Sequence, residues 1–365
     1  MDITATTTAS AKVAVPRGLV PASVVLGGTL LSLIGLTWDI QWHSDVGPDT
    51  FFTMPHLFLY AGSAVSGIAS LVVVLLTTAA EKRDRAIDPV VGGRAVGVFG
   101  RTFAAPVGYL VSGIGAALFL VYGLWDQWWH GLYGFDAVID SPPHIGLLLS
   151  ISITMVGAVM IFAVARDQRW GTYGVIGTAA VLLVFSMVTV LGLRAVPGAL
   201  FSPVSVGTAF FSVMILFTAA GALNRRGSAL AVGVSVAVLQ AVFWWFSPWA
   251  ARVYADASGL PLRDYTDGVP GLPNMIPMCL VIVAVAAELL HRLPAWVPGA
   301  AGGALIAACV PVQRLIVWGG PFPINARYIA TIVVAAAFGA LAATLGRRFG
   351  QMLRHLAPVK ENRHA

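Results

Sequence analysis

Charge is what this chain has least of. Only 10% of its 365 residues are Asp, Glu, Lys or Arg, where a soluble domain carries about a quarter. A soluble fold would have no means of covering the 58% of residues that are hydrophobic. Cysteine is almost absent: Cys279 and Cys309 each sit inside an apolar run. Two such residues make no disulfide framework or thiolate cluster, and both read as small apolar packers. No HExxH, GxSxG or P-loop pattern occurs, so the familiar zinc-peptidase, serine-hydrolase and nucleotide-binding signatures are missing. Lys and Arg outnumber acids by 22 to 16, but they are scattered through short loops and form no single patch. Nucleic-acid binding is therefore not expected. The first 14 residues are polar and rich in Thr and Ala. They lack the charged-then-apolar build of a cleaved leader, so the first apolar run is expected to persist as a helix.

What the chain has is apolar length. Mean hydropathy is +0.84, and several runs exceed the ~20 residues that cross a bilayer core. The expected fold class is all-α, a polytopic transmembrane helical bundle of about ten spans with an internal helical-hairpin repeat. The spans fall near 18–42, 54–79, 106–130, 143–165, 171–193, 204–223, 229–250, 273–290, 296–318 and 326–346. They group as a short N-terminal segment (1–17), duplicated hairpins (18–166), about six further spans (167–346) and a basic tail (347–365).

The connections alternate in charge. Lys82, Arg83, Arg85, Arg94 and Arg101 follow span two; Arg166 and Arg169 follow span four; Arg225, Arg226, Arg292, Arg347, Arg348, Arg354 and Lys360 continue the series. The opposite loops carry Asp45, Asp49, Asp136, Asp140, Asp256, Asp264 and Asp267. The positive-inside rule then puts both termini in the cytoplasm and the acidic loops outside. Arg194, Arg252, Arg263, Arg314 and Arg327 fall on or near the outer side as exceptions. The basic tail is expected to meet the anionic inner leaflet.

The repeat carries most of the functional information. Trp38, Asp39, Trp42, His43, Gly47, Pro55 and His56 recur in register as Trp125, Asp126, Trp129, His130, Gly134, Pro143 and His144. Each copy joins one span to the next across an outer loop. Spans seven and eight form a similar hairpin, with Trp249 and Pro273 but no His. Asp39 and His43, like Asp126 and His130, are four apart, which places them on one helix face. Proline then starts the following helix, and His56 or His144 lies in its first turn. An antiparallel hairpin brings the three side chains together, twice. An Asp near the end of a membrane helix costs up to ~3 kcal/mol, and a metal offsets that by turning buried donors into ligands. An Asp–His hydrogen-bond network or proton relay is the alternative. The Trp residues of the motif read as interfacial belt and packing residues. His291, His355 and His364 lie in basic surroundings and read as solvated. Imidazole with carboxylate suits zinc, copper, iron or nickel, and two His with one carboxylate also form the facial triad of non-haem iron enzymes.

These spacings resemble those of a family. Asp39, His43 and His56 are separated by 4 and 13 positions; Asp126, His130 and His144 by 4 and 14. Over about residues 18–166 the chain is similar to the C subunit of particulate methane and ammonia monooxygenases, the copper membrane monooxygenases. In that family, Asp/His/His and Asn/His/His sets line two neighbouring intramembrane copper sites. The resemblance implies metal ligands Asp39, His43, His56, Asp126, His130 and His144, with copper as the cofactor and iron or zinc as alternatives. This chain departs from the family in having Asp126 where the second set has Asn, a longer interval between sets, and about six further spans. It also lacks an obvious soluble cupredoxin-like domain of the kind carried by the family's B subunit.

The leading expectation is a copper-dependent membrane oxidase or monooxygenase that activates O2 for a lipophilic or small substrate. The expected partners are the lipid bilayer and either further copies of the chain or other membrane subunits. Asp45, Asp49, Asp136 and Asp140 are candidate partners for the ligand imidazoles, weighed against the usual solvation of loop carboxylates. A second reading is a copper or other transition-metal transporter or assembly factor, for which Met54, Met275, Met278 and Cys279 offer soft sulfur. A third is a metal-dependent hydrolase with three protein ligands and a bound water. The segment 251–272 is expected to be a long loop, either a cap over the metal sites or a plain surface loop.

Overall fold

Backbone polar groups have no water to bind inside a bilayer, so apolar runs of this length satisfy themselves as helices. The computed structural model describes residues 16–134, 140–322 and 324–357. The expected reading of residues 1–14, Asp136, Lys360 and His364 lies outside them. The described residues form α1 (Leu19–Asp45), α2 (Met54–Glu81), α3 (Val107–Tyr133), α4 (Pro142–Val164) and α5 (Arg169–Thr189), the last extended by a 3-10 turn, Val190–Ala195. They continue with α6 (Pro203–Leu223), α7 (Ser228–Ser258), α8 (Gly271–Met275), α9 (Leu280–Leu289), α10 (Trp296–Trp318) and α11 (Ala326–Leu353). Nine of these are long and apolar enough to cross a membrane. The protein is an all-helical membrane-spanning bundle.

Helix α5 runs through the middle and packs against α1, α4, α6 and α7. Its Val175, Leu183, Val184 and Phe185 are fully buried. Leu71, Leu75 and Leu76 on α2 and Leu120 and Leu124 on α3 are exposed, as lipid-facing residues are.

Lipid tails are as apolar as Leu, so membrane helices associate through close backbone approach at small residues. A Cβ added to Gly28 of α1 would lie 2.7 Å from the Gly62 carbonyl oxygen and 3.0 Å from Ser66 N, both on α2. One added to Gly115 of α3 would lie 2.7 Å from the Ser150 carbonyl oxygen and 2.5 Å from Thr154 N, both on α4. The offset that relates Asp39 to Asp126 relates Gly28 to Gly115. The offset that relates His56 to His144 relates Gly62 and Ser66 to Ser150 and Thr154. The two hairpins are thus locked by the same contact at the same depth.

Three features differ from the sequence-based expectation. The predicted span 273–290 is not one helix. It is α8, a break at residues 276–279, then α9. Pro277 causes the break, because the residue before a proline is pushed out of the helical region, and Ile276 is extended at φ −75°, ψ 125°. Two glutamines satisfy the freed backbone. Gln240 Nε2 donates to the carbonyls of Pro273 (2.9 Å) and Ile276 (3.0 Å). Gln313 Nε2 donates to those of Asn274 (2.7 Å) and Ile276 (3.1 Å), while its Oε1 accepts from Met278 N (2.9 Å). Secondly, α7 continues to Ser258, so the predicted loop 251–272 shrinks to 259–270. Thirdly, the connection after α2 contains an antiparallel hairpin, β1 (Ala95–Val98) with β2 (Phe103–Pro106).

The broken segment leads to a prediction. Gln313 is buried, and Gln313→Leu would strand the Asn274 carbonyl and the Met278 N–H. Each stranded buried group costs ~1–3 kcal/mol, so the variant is expected to lose about 2–4 kcal/mol of stability, read as a lowered thermal midpoint in detergent.

Candidate metal centres

Local sequence positions each ligand. Helix α1 ends where Val46 N and Gly47 N donate to the Trp42 carbonyl (2.9 and 3.0 Å). Helix α3 ends where Gly134 N donates to the His130 carbonyl (3.0 Å). Gly47 and Gly134 have φ of +103° and +83°, a region that favours glycine. Each glycine therefore stops its helix within one turn of the Asp-x-x-x-His pair and turns the chain back. Proline in the first turn then starts α2 and α4 and sets His56 and His144 opposite that pair.

The six predicted ligands gather as two separate groups. In the first, His56 Nε2 is 3.1 Å from Asp39 Oδ1, and His43 Nε2 is 3.9 Å from the same oxygen. In the second, His130 Nε2 is 3.4 Å from Asp126 Oδ2, and His144 Nε2 is 3.3 Å from Asp126 Oδ1. Within each group all the ligand atoms lie within 4.8 Å of one another. Metal–ligand bonds of ~2.0–2.2 Å at tetrahedral angles put ligand atoms roughly 3.3–3.6 Å apart. The observed spacings bracket that range.

The first group has a member that the sequence reading did not favour. The side chain of Asp49, expected only as a candidate partner of the ligand imidazoles and weighed against solvation, is 5% exposed, and its Oδ2 lies 3.1 Å from His43 Nε2 and 3.5 Å from His56 Nε2. The group is Asp39, His43, Asp49 and His56. A signal for it exists in the sequence: Asp49 stands two residues after Gly47, as Asp136 stands two residues after Gly134. Asp45 is also buried but belongs elsewhere. It accepts from Gln41 Nε2 (2.9 Å), and Gln41 Oε1 accepts from Gly271 N (3.0 Å). Asp140 joins neither group.

Ring orientation is set by loop carbonyls. His56 Nδ1 lies 3.0 Å from the Thr50 carbonyl oxygen, and His130 Nδ1 lies 2.9 Å from that of Gly134. A carbonyl only accepts, so each Nδ1 carries the proton. In the neutral ring Nε2 then keeps its lone pair, and Nε2 is the atom aimed at the carboxylates. Ligand histidines are commonly held in this way. The buried Asp39 Oδ1 and Asp126 Oδ1 face the Nε2 atoms of His56 and His144, each contact a hydrogen bond when that ring is protonated and a pair of acceptors when it is neutral. Two acceptors facing each other at 3.1–3.3 Å repel unless a cation or a proton lies between them. A metal ion held by these donors would take the place of that proton.

Burial works against charge on Asp49. The hydrogen bond with His43, the positive charge of His56 and the hydrogen bond with Thr53 outweigh it and hold the carboxyl below the ordinary range. A carboxyl depressed in the folded state stabilises the fold above its unfolded value of ~3.9 and loses that contribution as pH falls through the folded value. In metal-free protein, the advantage of wild type over Asp49→Asn is therefore expected to persist at pH 5 and to shrink only below about pH 4. Tryptophan-fluorescence melts between pH 3 and 6 measure it.

The surroundings are apolar and braced. Trp42 is buried, with Nε1 donating to the Pro48 carbonyl (2.7 Å). Trp38 packs edge-on against Phe58, Phe246 and Tyr254. Both act as the packing residues expected. The loop 259–270 latches onto the end of α1: Arg263 N donates to the Asp45 carbonyl (2.8 Å), and its guanidinium to those of His43 (3.0 Å) and Val46 (3.1 Å). That loop therefore braces the first group. Tyr60 stacks on His56 (5.9 Å between ring centroids) and meets Phe119 of α3 at 5.9 Å, where the two hairpins touch. Cys279 and Cys309 join neither group. His291 and His355 are exposed, and His291 Nδ1 lies 2.8 Å from the Glu288 carbonyl.

No family model, curated protein or solved structure matches this chain. Its fold and sites define a class: a membrane-spanning helical protein with two Asp/His groups whose geometry could hold metal ions.

Proposed function

We propose that this chain is a metal-dependent membrane oxidoreductase of the copper-monooxygenase kind, with one metal at each Asp/His group and a lipophilic or small substrate. One observation carries the proposal. Two hairpins converge the same Asp, His and His from nearly the same sequence spacing, and each sets a buried carboxylate oxygen against a histidine Nε2 at 3.1–3.3 Å. The shared Gly28 and Gly115 contacts support descent of both hairpins from one duplicated unit. The distribution of Lys and Arg supports an extracytoplasmic position for both groups.

Copper bound there would supply one-electron steps and a place for O2. The chain's own part is arrangement. The carbonyls of Thr50 and Gly134 fix the His56 and His130 tautomers. Asp39, Asp49 and Asp126 provide anionic charge. Leu120, Leu124 and Trp128, on the helix that carries Asp126 and His130, are exposed on the apolar surface, the side from which a substrate dissolved in the bilayer would arrive.

Asp49 favours a second reading. A second carboxylate makes the first group harder than a two-His, one-Asp set, and among the described residues neither group includes a cysteine. Iron or zinc fits such donors as well, and zinc would serve hydrolysis. The test is O2 uptake by protein loaded singly with copper, iron or zinc, given a chemical reductant and long-chain alkane or alkene. Reductant-dependent uptake by the copper form, with labelled oxygen entering the product, is expected. Ester or amide hydrolysis by the zinc form, with no uptake by any form, would replace the oxidase reading with the hydrolytic one.

A further inference from the structure

Five arginines lie toward the end of the bundle that holds the two Asp/His groups: Arg194, Arg252, Arg263, Arg314 and Arg327. Two are accounted for. Arg263 holds the end of α1, and Arg252 lies within electrostatic reach of Asp45. The other three converge on one cleft between the end of α5, α6, α10 and α11. It comprises two joined cavities of about 470 and 390 Å³ that share Val204, Ser205, Val310 and Arg314. Arg194 lines the first cavity, Arg327 the second and Arg314 both.

Among the described residues, no Asp or Glu lines either cavity. None of the three guanidiniums makes an ion pair or a side-chain hydrogen bond there. Two long helices also begin at the cleft. Ser202 Oγ caps α6 by accepting from Ser205 N (3.3 Å), and Asn325 Oδ1 caps α11 by accepting from Tyr328 N (2.9 Å). A helix N-terminus carries roughly half a positive charge, so both add to the field of the arginines. Thr331 is buried between them, accepting from Ser202 N at 3.0 Å. The remaining lining mixes apolar side chains, Met187, Leu191, Val310, Leu315 and Trp318, with the polar Thr208, Asn274, Gln313 and Tyr328.

Three exposed arginines and two positive helix ends concentrate positive charge on this one cleft, a field that attracts an anion. Guanidinium forks match carboxylate and phosphate oxygens. The apolar stretch of Met187, Leu191, Val310 and Trp318 suits a chain attached to the anionic head. We propose that this cleft binds an anionic amphiphile, a phosphate or carboxylate head on an acyl chain. The head sits among Arg194, Arg314 and Arg327, and the chain lies along Met187, Leu191 and Trp318. The proposal stands independently of the metal reading.

The test is native mass spectrometry of the full-length protein in a neutral detergent. The probes are dioleoyl phosphatidylglycerol, dodecyl phosphate, oleate, dioleoyl phosphatidylcholine and inorganic phosphate. One anionic amphiphile per chain is expected, retained at least tenfold more strongly than phosphatidylcholine. Arg194→Gln/Arg314→Gln/Arg327→Gln is expected to weaken it at least tenfold. Preference for phosphatidylglycerol identifies the bilayer as the source. Preference for dodecyl phosphate or oleate identifies a free amphiphile. Equal retention of phosphatidylcholine, inorganic phosphate binding as tightly as the amphiphiles, or a folded triple variant that binds like wild type each overturns the proposal. If the triple variant does not fold, Arg314→Gln alone serves: Arg314 lines both cavities, and an unchanged affinity there rejects the site.

Discussion

Asp49→Ala is expected to weaken metal binding at the first group by about two orders of magnitude and to leave the second group unchanged. Structural four-ligand sites bind with apparent free energies of ~10–16 kcal/mol, so one ligand accounts for roughly 2.5–4 kcal/mol, or ~100-fold or more. Asp49 is held for that role. Its Oδ2 faces both His43 and His56 Nε2, and the turn that carries it also supplies the Thr50 carbonyl to His56. The control is Asp45→Asn. Asp45 is as buried as Asp49 and only four residues away, but its carboxylate is engaged by Gln41. Titration with a chromophoric chelator separates the two. Equal effects, or none from Asp49→Ala, would remove Asp49 from the ligand set.

The second large effect is expected from neighbouring glycines. Gly28→Ala places a methyl group against the α2 backbone at Gly62 and Ser66, whereas a Cβ on Gly27 meets nothing within 4 Å. Overpacking costs ~1–3 kcal/mol, while relieving a helix of a glycine in open space gains ~0.5–1 kcal/mol. Gly28→Ala should therefore melt well below wild type and Gly27→Ala slightly above it. Since α2 carries His56, Gly28→Ala should also weaken metal binding at the first group. Gly115→Ala should do the same to α3, α4 and the second group. Melting curves with and without metal check both effects, and similar behaviour of Gly27→Ala and Gly28→Ala would contradict the packing argument.

Much of this was legible in the sequence for identifiable reasons. Uncharged apolar runs leave a membrane chain only the helix, so α1 to α7, α10 and α11 stand where hydropathy places them. The Asp/His/His sets were legible because the four-residue spacing and a Gly-turned hairpin force convergence. Asp49 was legible only as one of four candidate partners of the imidazoles, and not as a ligand, because it lies in an irregular loop, where no periodicity tells which side chain turns inward. Its exposure is decided by two imidazoles that lie elsewhere in the chain. The α8–α9 break was missed because hydropathy averages over Pro277, and its two stabilising glutamines come from α7 and α10. The three-arginine cleft looked like noise in the charge pattern, because Arg194, Arg314 and Arg327 become neighbours only once α5, α10 and α11 have packed.

The decisive measurement is metal content by mass spectrometry on the full-length protein. Copper, iron and zinc are offered together to wild type, His43→Ala/His56→Ala and His130→Ala/His144→Ala. Two separate metal groups predict about two equivalents in wild type and about one in each double variant, with both variants folded. Well-folded wild type that takes up no metal, or variants that keep the wild-type content, would contradict it and leave the two Asp/His groups as hydrogen-bonded networks.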